Sequence, residues 1–373
     1  MIKIREISSF REIKPFINFP YQHYKKCPYW IPPIRQDEMN QFDPVQNPSL
    51  EDSEFKLWVA EKEGKVVGRV VGIINERETR VKGEVHGRFG WLEFEEDLSI
   101  PNALLERVGD WARERGAVQL KGPVGFTNLD PSGMTVEGFD ELGTMHGAYH
   151  YPYYGKYMDQ LGFEKVVDWL ELVLDKAPTR VPDKMKRLLP LLEKKFGLRN
   201  FQIKKTHLRE KIRESFFLVT DSYKDLPSYV PFSDRQIDHY IDQFLPFIQP
   251  DYISLVGDAE GHLLGFGLVV PSFSEPLIKA KGRLFPFGII PLLWTKRFHR
   301  IADLVLIGVV DEWRNKGLNA FIFSKSILAV SAQGVRKIRI NPILEENLAS
   351  LSLFKNLDPR VFRRRRLFAK DLY

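Results

Sequence analysis

Seven consecutive residues late in the chain have the types and spacing to bind a pyrophosphate: Arg314, Asn315, Lys316, Gly317, Leu318, Asn319 and Ala320. Before them an apolar, β-branched run, Leu304 to Val310, reads as a buried strand. After them Ile322, Phe323, Ile327 and Leu328 recur at helical spacing. A glycine-containing turn from strand to helix leaves the first-turn N–H groups without intrahelical acceptors and aims them outward. The helix dipole adds partial positive charge there, and Arg314 and Lys316 add full charges.

This stretch resembles the acyl-CoA-binding loop of the GNAT acyltransferase superfamily, R/Q-x-x-G-x-G/A set between a strand and a helix. Arg314 and Gly317 match its first two defined positions. Asn319 stands where glycine or alanine is usual, and Ala320 follows one place late. The resemblance implies an acyl-CoA co-substrate, acetyl-CoA or another, and transfer of its acyl group to the amine of a small molecule. It implies a backbone N–H around Val309 or Val310 that polarises the carbonyl. Asn341 and Asn347 resemble polar positions beside the pantetheine arm. Asp303, Asp311 and Glu345 are the candidate bases from this half. Many GNAT enzymes carry a tyrosine on the helix that follows as acid for the departing thiolate; residues 345–357 contain none. That departure keeps a non-catalytic CoA-binding protein open as a second reading. A tandem GNAT-like ligase using aminoacyl-tRNA is a third, against which the CoA-type turn argues.

The elements that must position this turn occur twice. Phe55, Gly64 and Gly68 are matched by Tyr252, Gly261 and Gly265 (261 − 64 = 197), each set reading as a β-hairpin. Gly116 and Gly334 then end matching helices (334 − 116 = 218). The expected fold class is α/β (α+β): two GNAT-like domains, each a mixed, mostly antiparallel sheet flanked by helices. The first spans 1–177 and the second 178–373, with APTRVP at 177–182 as the boundary. The first-half counterpart of the phosphate turn lies near Ser99 among Glu93, Glu95, Glu96 and Asp97, ahead of Pro101. Those carboxylates repel a pyrophosphate, so the first domain is expected to be degenerate.

Three stretches stand outside the repeat or carry unusual charge. Residues 122–153 form a glycine-rich but aromatic loop whose Asp130, Glu137, Asp140, Glu141, His146, Tyr149 and Tyr151 are candidates for binding an amine substrate. His146 and His150 are four apart, but the glycines around them argue against the helix a metal clasp needs, so no metal is expected. Residues 271–302 set apolar side chains between basic clusters. An interdomain seam that buries them is the simplest expectation; a lid or peripheral membrane contact are the alternatives. Arg363 to Arg366 is expected to protect the edge of a sheet.

Composition narrows the classes. The chain of 373 residues has 43% hydrophobic content, room for two cores. A single cysteine, Cys27, excludes an internal disulfide and fits a reducing compartment. MIKIREISSF has no apolar signal core, so a cytoplasmic location is expected. The net charge of +6 (55 − 49) suits an anionic partner such as CoA, and no nucleic-acid motif accompanies it.

Overall fold

A computed structural model describes residues 1–181, 183–201, 205–223, 228–314 and 316–373. The first half runs β1 (Lys3–Glu6), α1 (Lys14–His23), α2 (Arg35–Asn40), β2 (Ser53–Lys62), β3 (Lys65–Asn75), α3 (Glu76–Lys82), β4 (His86–Phe94), α4 (Ser99–Arg113), β5 (Gln119–Gly122), β6 (Met134–Glu137), α5 (Tyr153–Gln160) and β7 (Glu164–Leu174). The second runs α6 (Asp183–Phe196), β8 (Arg199–Phe201), α7 (Leu208–Tyr223), α8 (Asp234–Phe244), β9 (Ile253–Gly257), β10 (Leu263–Pro271), α9 (Ser274–Ala280), α10 (Ile289–Arg297), β11 (Ile301–Val309), α11 (Leu318–Ala332), β12 (Lys337–Leu344), α12 (Leu348–Phe354) and β13 (Arg360–Asp371).

Both hairpins form as their glycines predict, β2 with β3 and β9 with β10. Ser233 caps α8 through a reciprocal pair with Gln236, the S-x-x-Q pattern that satisfies two end donors. Ser9 makes no side-chain cap, and α1 starts five residues after it behind a short 3₁₀ turn.

Among the described residues the strands form one continuous sheet, in the order β1-β2-β3-β4-β5-β13-β7-β12-β11-β10-β9-β8, with β6 pairing the middle of β13. Each half contributes one parallel pair, β4 with β5 and β11 with β12; the other pairings are antiparallel. The last strand of the chain crosses to the first half. β13 lies between β5 and β7, and β7 in turn pairs β12. The sheet therefore does not divide at residue 177.

This exchange overturns the edge reading of Arg363–Arg366, since β13 is internal. Alternation sends Arg363 (1% exposed) and Arg365 (4%) to one buried face. Arg364 and Arg366 reach Asp168 on the other face, where Arg364 also meets Glu345. The buried arginines meet partners there: Arg365 pairs with Glu171 at 2.7 Å and donates to the Ser132 carbonyl, and Arg363 donates to the Glu141 carbonyl. The 122–153 loop therefore clamps over the central strands through main-chain acceptors.

A second buried ionic group anchors the first half. Glu78 accepts from Arg88 at 2.6 Å and from Lys121, and Arg88 also donates to the Ser228 carbonyl of the second half. Burial alone would raise the Glu78 carboxyl; Arg88 and Lys121 outweigh it and hold the group below its ordinary value. Glu78→Gln is expected to lower unfolding stability by about 3–5 kcal/mol at neutral pH, because two buried cations lose their counter-charge. Glu78 is a depressed acid, so its contribution is complete above the unfolded carboxyl value. It fades as pH falls through the lower folded value. Urea unfolding of wild type and variant from neutral to acid pH should show the gap closing at the acid end.

Candidate active site

β11 carries a bulge. Leu268 of β10 faces Leu306 and Val269 faces Leu304, so Val305 is an extra residue. Beyond the Leu304–Ile340 pair, β11 and β12 have no further paired residues and splay apart. Asn341 spans the start of this opening: its Nδ2 donates to the Val305 carbonyl at 2.7 Å, while its Oδ1 is buried without a partner. The first half has no such gap, because Val124 donates to the Phe89 carbonyl at 2.9 Å. A Cβ on Gly90 would meet the Val124 carbonyl oxygen at 2.6 Å, so chain fills the corresponding space.

On one side of the splay lies the β11–α11 turn. Gly317 caps α11 at φ +86°, a left-handed conformation that suits glycine. Its backbone packs on Leu192 of α6, which joins Val309, Leu318, Phe321 and Ile322 in one apolar cluster. Lys316 and Arg314 are exposed, as a phosphate site requires; Asn319 and Ala320 are half-buried in the first turn of the helix, behind the buried Leu318. Arg314 pairs with Asp311 at 2.8 Å. Asn315 lies outside the described residues. In the first half the equivalent helix start is occupied by its own acid, Asp97 accepting from the Ser99 N–H at 3.1 Å.

On the other side lies a cavity of about 200 Å³. Its walls come from α7 and α8 (Phe216, Tyr240, Phe244), from Phe247, from the sheet (Phe266, Leu268, Val305, Leu306, Trp169), and from the first-half loop (Leu129, Met145). Polar groups are few: Asp130, His146, Asn341 and Arg365 among them. The His146 ring packs edge-on against Phe244 at 5.7 Å. Burial, then the Arg365 guanidinium, lowers its pKa to about 4, so the imidazole is neutral at pH 7. Asp130 is pushed up to about 6, mainly by burial, although its carboxylate accepts the Thr127 N–H at 2.8 Å.

The other residues singled out from sequence scatter. Val310 donates its N–H to the Leu264 carbonyl at 3.0 Å, which removes it as a carbonyl donor. Alternation turns the N–H groups of Ile307 and Val309 toward β12. Asp303 is wholly buried beneath the loop, 4.0 Å from Arg339, and burial raises it to about 6. Asp311 is on the surface with Arg314, and Glu345 is tied to Lys165 and Arg364. Asn347 caps α12 by accepting the Ser350 N–H at 3.0 Å.

Within the 122–153 loop, Asp130 and His146 reach the cavity. Glu137 and Glu141 pair with Arg364 and Arg360. Asp140 is exposed. Tyr149 and Tyr151 belong to an aromatic cluster with Tyr24 and His23. The cavity walls Trp169, Phe244 and Arg365 were not singled out as site residues from the sequence. An apolar helix face looks the same whether it packs a core or lines a cavity. Among the described residues no helix is long and apolar enough to cross a membrane, and no group of three metal-ligating side chains is assembled.

No family model matches the chain. Protein YghO of Escherichia coli (strain K12) is 26% identical over 375 residues, covering 99% of this chain and 95% of that protein. A protein named bacterial ceramide synthase, from Caulobacter vibrioides, is 24% identical over 378 residues, covering 97% and 95%. A solved tandem GNAT protein from the clavulanic acid biosynthesis pathway superposes with a TM-score of 0.56 at 14% identity, over 100% of this chain and 99% of that one. The GCN5-related N-acetyltransferase from Sphaerobacter thermophilus superposes with a TM-score of 0.52 at 11% identity, over 100% and 96%. End-to-end superposition on such structures, with the element order repeated in both halves, shows that this chain has the tandem GNAT fold.

Proposed function

We propose that this protein is an acyl-CoA-dependent N-acyltransferase in which the acyl group, the acceptor amine or both carry a hydrocarbon chain. The observation that supports this best is the splay itself. It has the Gly317 turn on one face and a 200 Å³ largely apolar cavity on the other, and Val305 and Asn341 of the opening line that cavity. For comparison, a cavity of about 150 Å³ holds benzene, so acetyl alone leaves much of this space unfilled. The relative named for ceramide synthesis points the same way, because a ceramide is the amide of a fatty acid and a long-chain amino alcohol.

The residues fit the co-substrate. Arg314, Lys316 and the N–H groups of Leu318, Asn319 and Ala320 would hold its pyrophosphate, and the unpartnered Oδ1 of Asn341 would accept an amide N–H of its arm. Acyl-CoA supplies an activated thioester. The chain's own residues do the rest. The acceptor gives up its ammonium proton to solvent, the free amine attacks the carbonyl carbon, and His146, neutral at pH 7, takes the N–H proton of the tetrahedral adduct. The Ile307 N–H, turned to the opening, stabilises the oxyanion. The C–S bond then breaks, the thiolate leaves with the proton that the His146 imidazolium returns, and an amide remains. Apolar walls exclude water that would hydrolyse the thioester.

The test is amide formation and thiol release with a series of acyl-CoAs from acetyl to palmitoyl, offered with a long-chain amino alcohol and with a short amine. Turnover is expected only where a hydrocarbon chain is present. Leu268→Trp, which fills the cavity from β10, is expected to move the preference toward shorter chains by roughly tenfold or more in kcat/KM, since each displaced methylene is worth about 1–3 kcal/mol. Equal turnover of short substrates by both proteins would refute the role given to the cavity.

A further inference from the structure

The segment between β10 and β11 forms the buried seam expected from sequence only in its first part, where Leu277 and Ala280 of α9 pack with Ile31 and Ile34 of the first half and Ser274 donates to the Gly143 carbonyl at 2.8 Å. Of helix α10, IIPLLWTKR, only Leu292 is buried. Phe285 is 80% exposed, Phe287 75% and Trp294 66%, and Ile290, Leu293 and Phe298 are exposed with them. A surface helix normally turns its apolar residues inward. Here Leu292 holds the segment down against Phe273 and Leu277, beside Met145 and Phe247; Leu284 and Ile289 are half-buried, and the six exposed side chains just named point to solvent. Residues 271–302 contain six lysines and arginines (Lys279, Lys281, Arg283, Lys296, Arg297, Arg300) and one carboxylate, Glu275. All but Lys296 of these cations are exposed.

We infer that this segment is a membrane-docking surface for a bilayer rich in anionic phospholipid. Aromatic and aliphatic side chains of a short helix and its preceding loop would sit at the headgroup–acyl boundary while the surrounding cations meet lipid phosphates. The charge imbalance selects this occupant, because a second copy of the chain would bring the same excess of cations against this one. The location gives the surface a use. Met145 and Phe247 line the cavity as well as packing around Leu292. The C-terminal end of α10 is tied to the same wall, Gln249 donating to the Lys296 carbonyl and Lys296 to the Pro246 carbonyl, both at 2.6 Å. A hydrocarbon-bearing substrate leaving the bilayer would thus enter beside the apolar chamber. That consequence rests on the proposed function; the docking surface does not.

Flotation with vesicles separates the two. Full-length protein is expected to float with vesicles of phosphatidylcholine mixed with phosphatidylglycerol, and far less with phosphatidylcholine alone. Lys281→Gln/Arg283→Gln/Arg297→Gln is expected to weaken anionic-vesicle binding roughly 100-fold. Phe285→Ser/Phe287→Ser/Trp294→Ser is expected to abolish it, and both variants should retain the wild-type melting temperature and any shift with acyl-CoA. Failure of wild type to float with anionic vesicles overturns the inference, as does floating that neither variant reduces. A dimer that the aromatic variant dissociates also overturns it, by assigning the patch to self-association. Loss of acyl transfer with intact vesicle binding would count against the proposed activity alone.

Discussion

Gly317→Glu is expected to abolish the thermal stabilisation that saturating acyl-CoA gives the wild-type chain. A ligand at a hundred times its dissociation constant adds about 2.7 kcal/mol, which in a chain with one continuous sheet corresponds to roughly 5 °C. The substitution acts twice. At φ +86° any side chain is strained, and the new carboxylate lies among the N–H groups and cations that would hold a diphosphate. Gly317→Ala separates these effects, since it brings the strain and the 3.3 Å approach to Leu192 without the charge. It should lower the melting temperature by a few degrees but keep most of the ligand-induced shift. Differential scanning fluorimetry of the three proteins reads all of this. Equal shifts in Gly317→Glu and wild type would place the co-substrate elsewhere. No shift in a well-folded wild type would remove the acyl-CoA reading altogether.

The second large effect is expected at His146. Replacement by alanine should reduce kcat by about 10²–10⁴ with little change in KM for acyl-CoA, the pattern of a lost proton acceptor. The pH profile adds a signature that a packing role lacks. The imidazole is depressed to about 4, so above about pH 5 it is neutral and does not limit the rate. Below that it protonates and kcat/KM falls. The acid limb near pH 4 should therefore be present in wild type and absent from the residual activity of His146→Ala. His146→Gln keeps the volume and hydrogen bonding but not the proton affinity, and should behave like the alanine variant. A kcat within twofold of wild type in both would transfer the role to another group, Asp130 being the carboxylate among the cavity walls.

The amino-acid sequence determined the local order of the chain. Gly64 and Gly261 close hairpins, Gly116 and Gly334 end helices, and the strand–turn–helix around Gly317 forms as read, because each signal acts within a few residues. The strand alternation of Arg363–Arg366 was legible too. What the alternation faces was not. Only the tertiary structure places β13 between β5 and β7, which buries Arg363 and Arg365 against Glu171 and the loop carbonyls instead of exposing an edge. Strand partners more than 180 residues away leave no local trace, since a period of two names a face and not a neighbour. The same limit hid the cavity. Its walls come from helices α7 and α8, six strands of the sheet and a first-half loop, and an aromatic residue on a helix face carries no mark of whether it meets another side chain or a space. The exposed aromatics of residues 285–298 show the converse. Apolar composition argued for burial, and only the arrangement of neighbours left those side chains facing water.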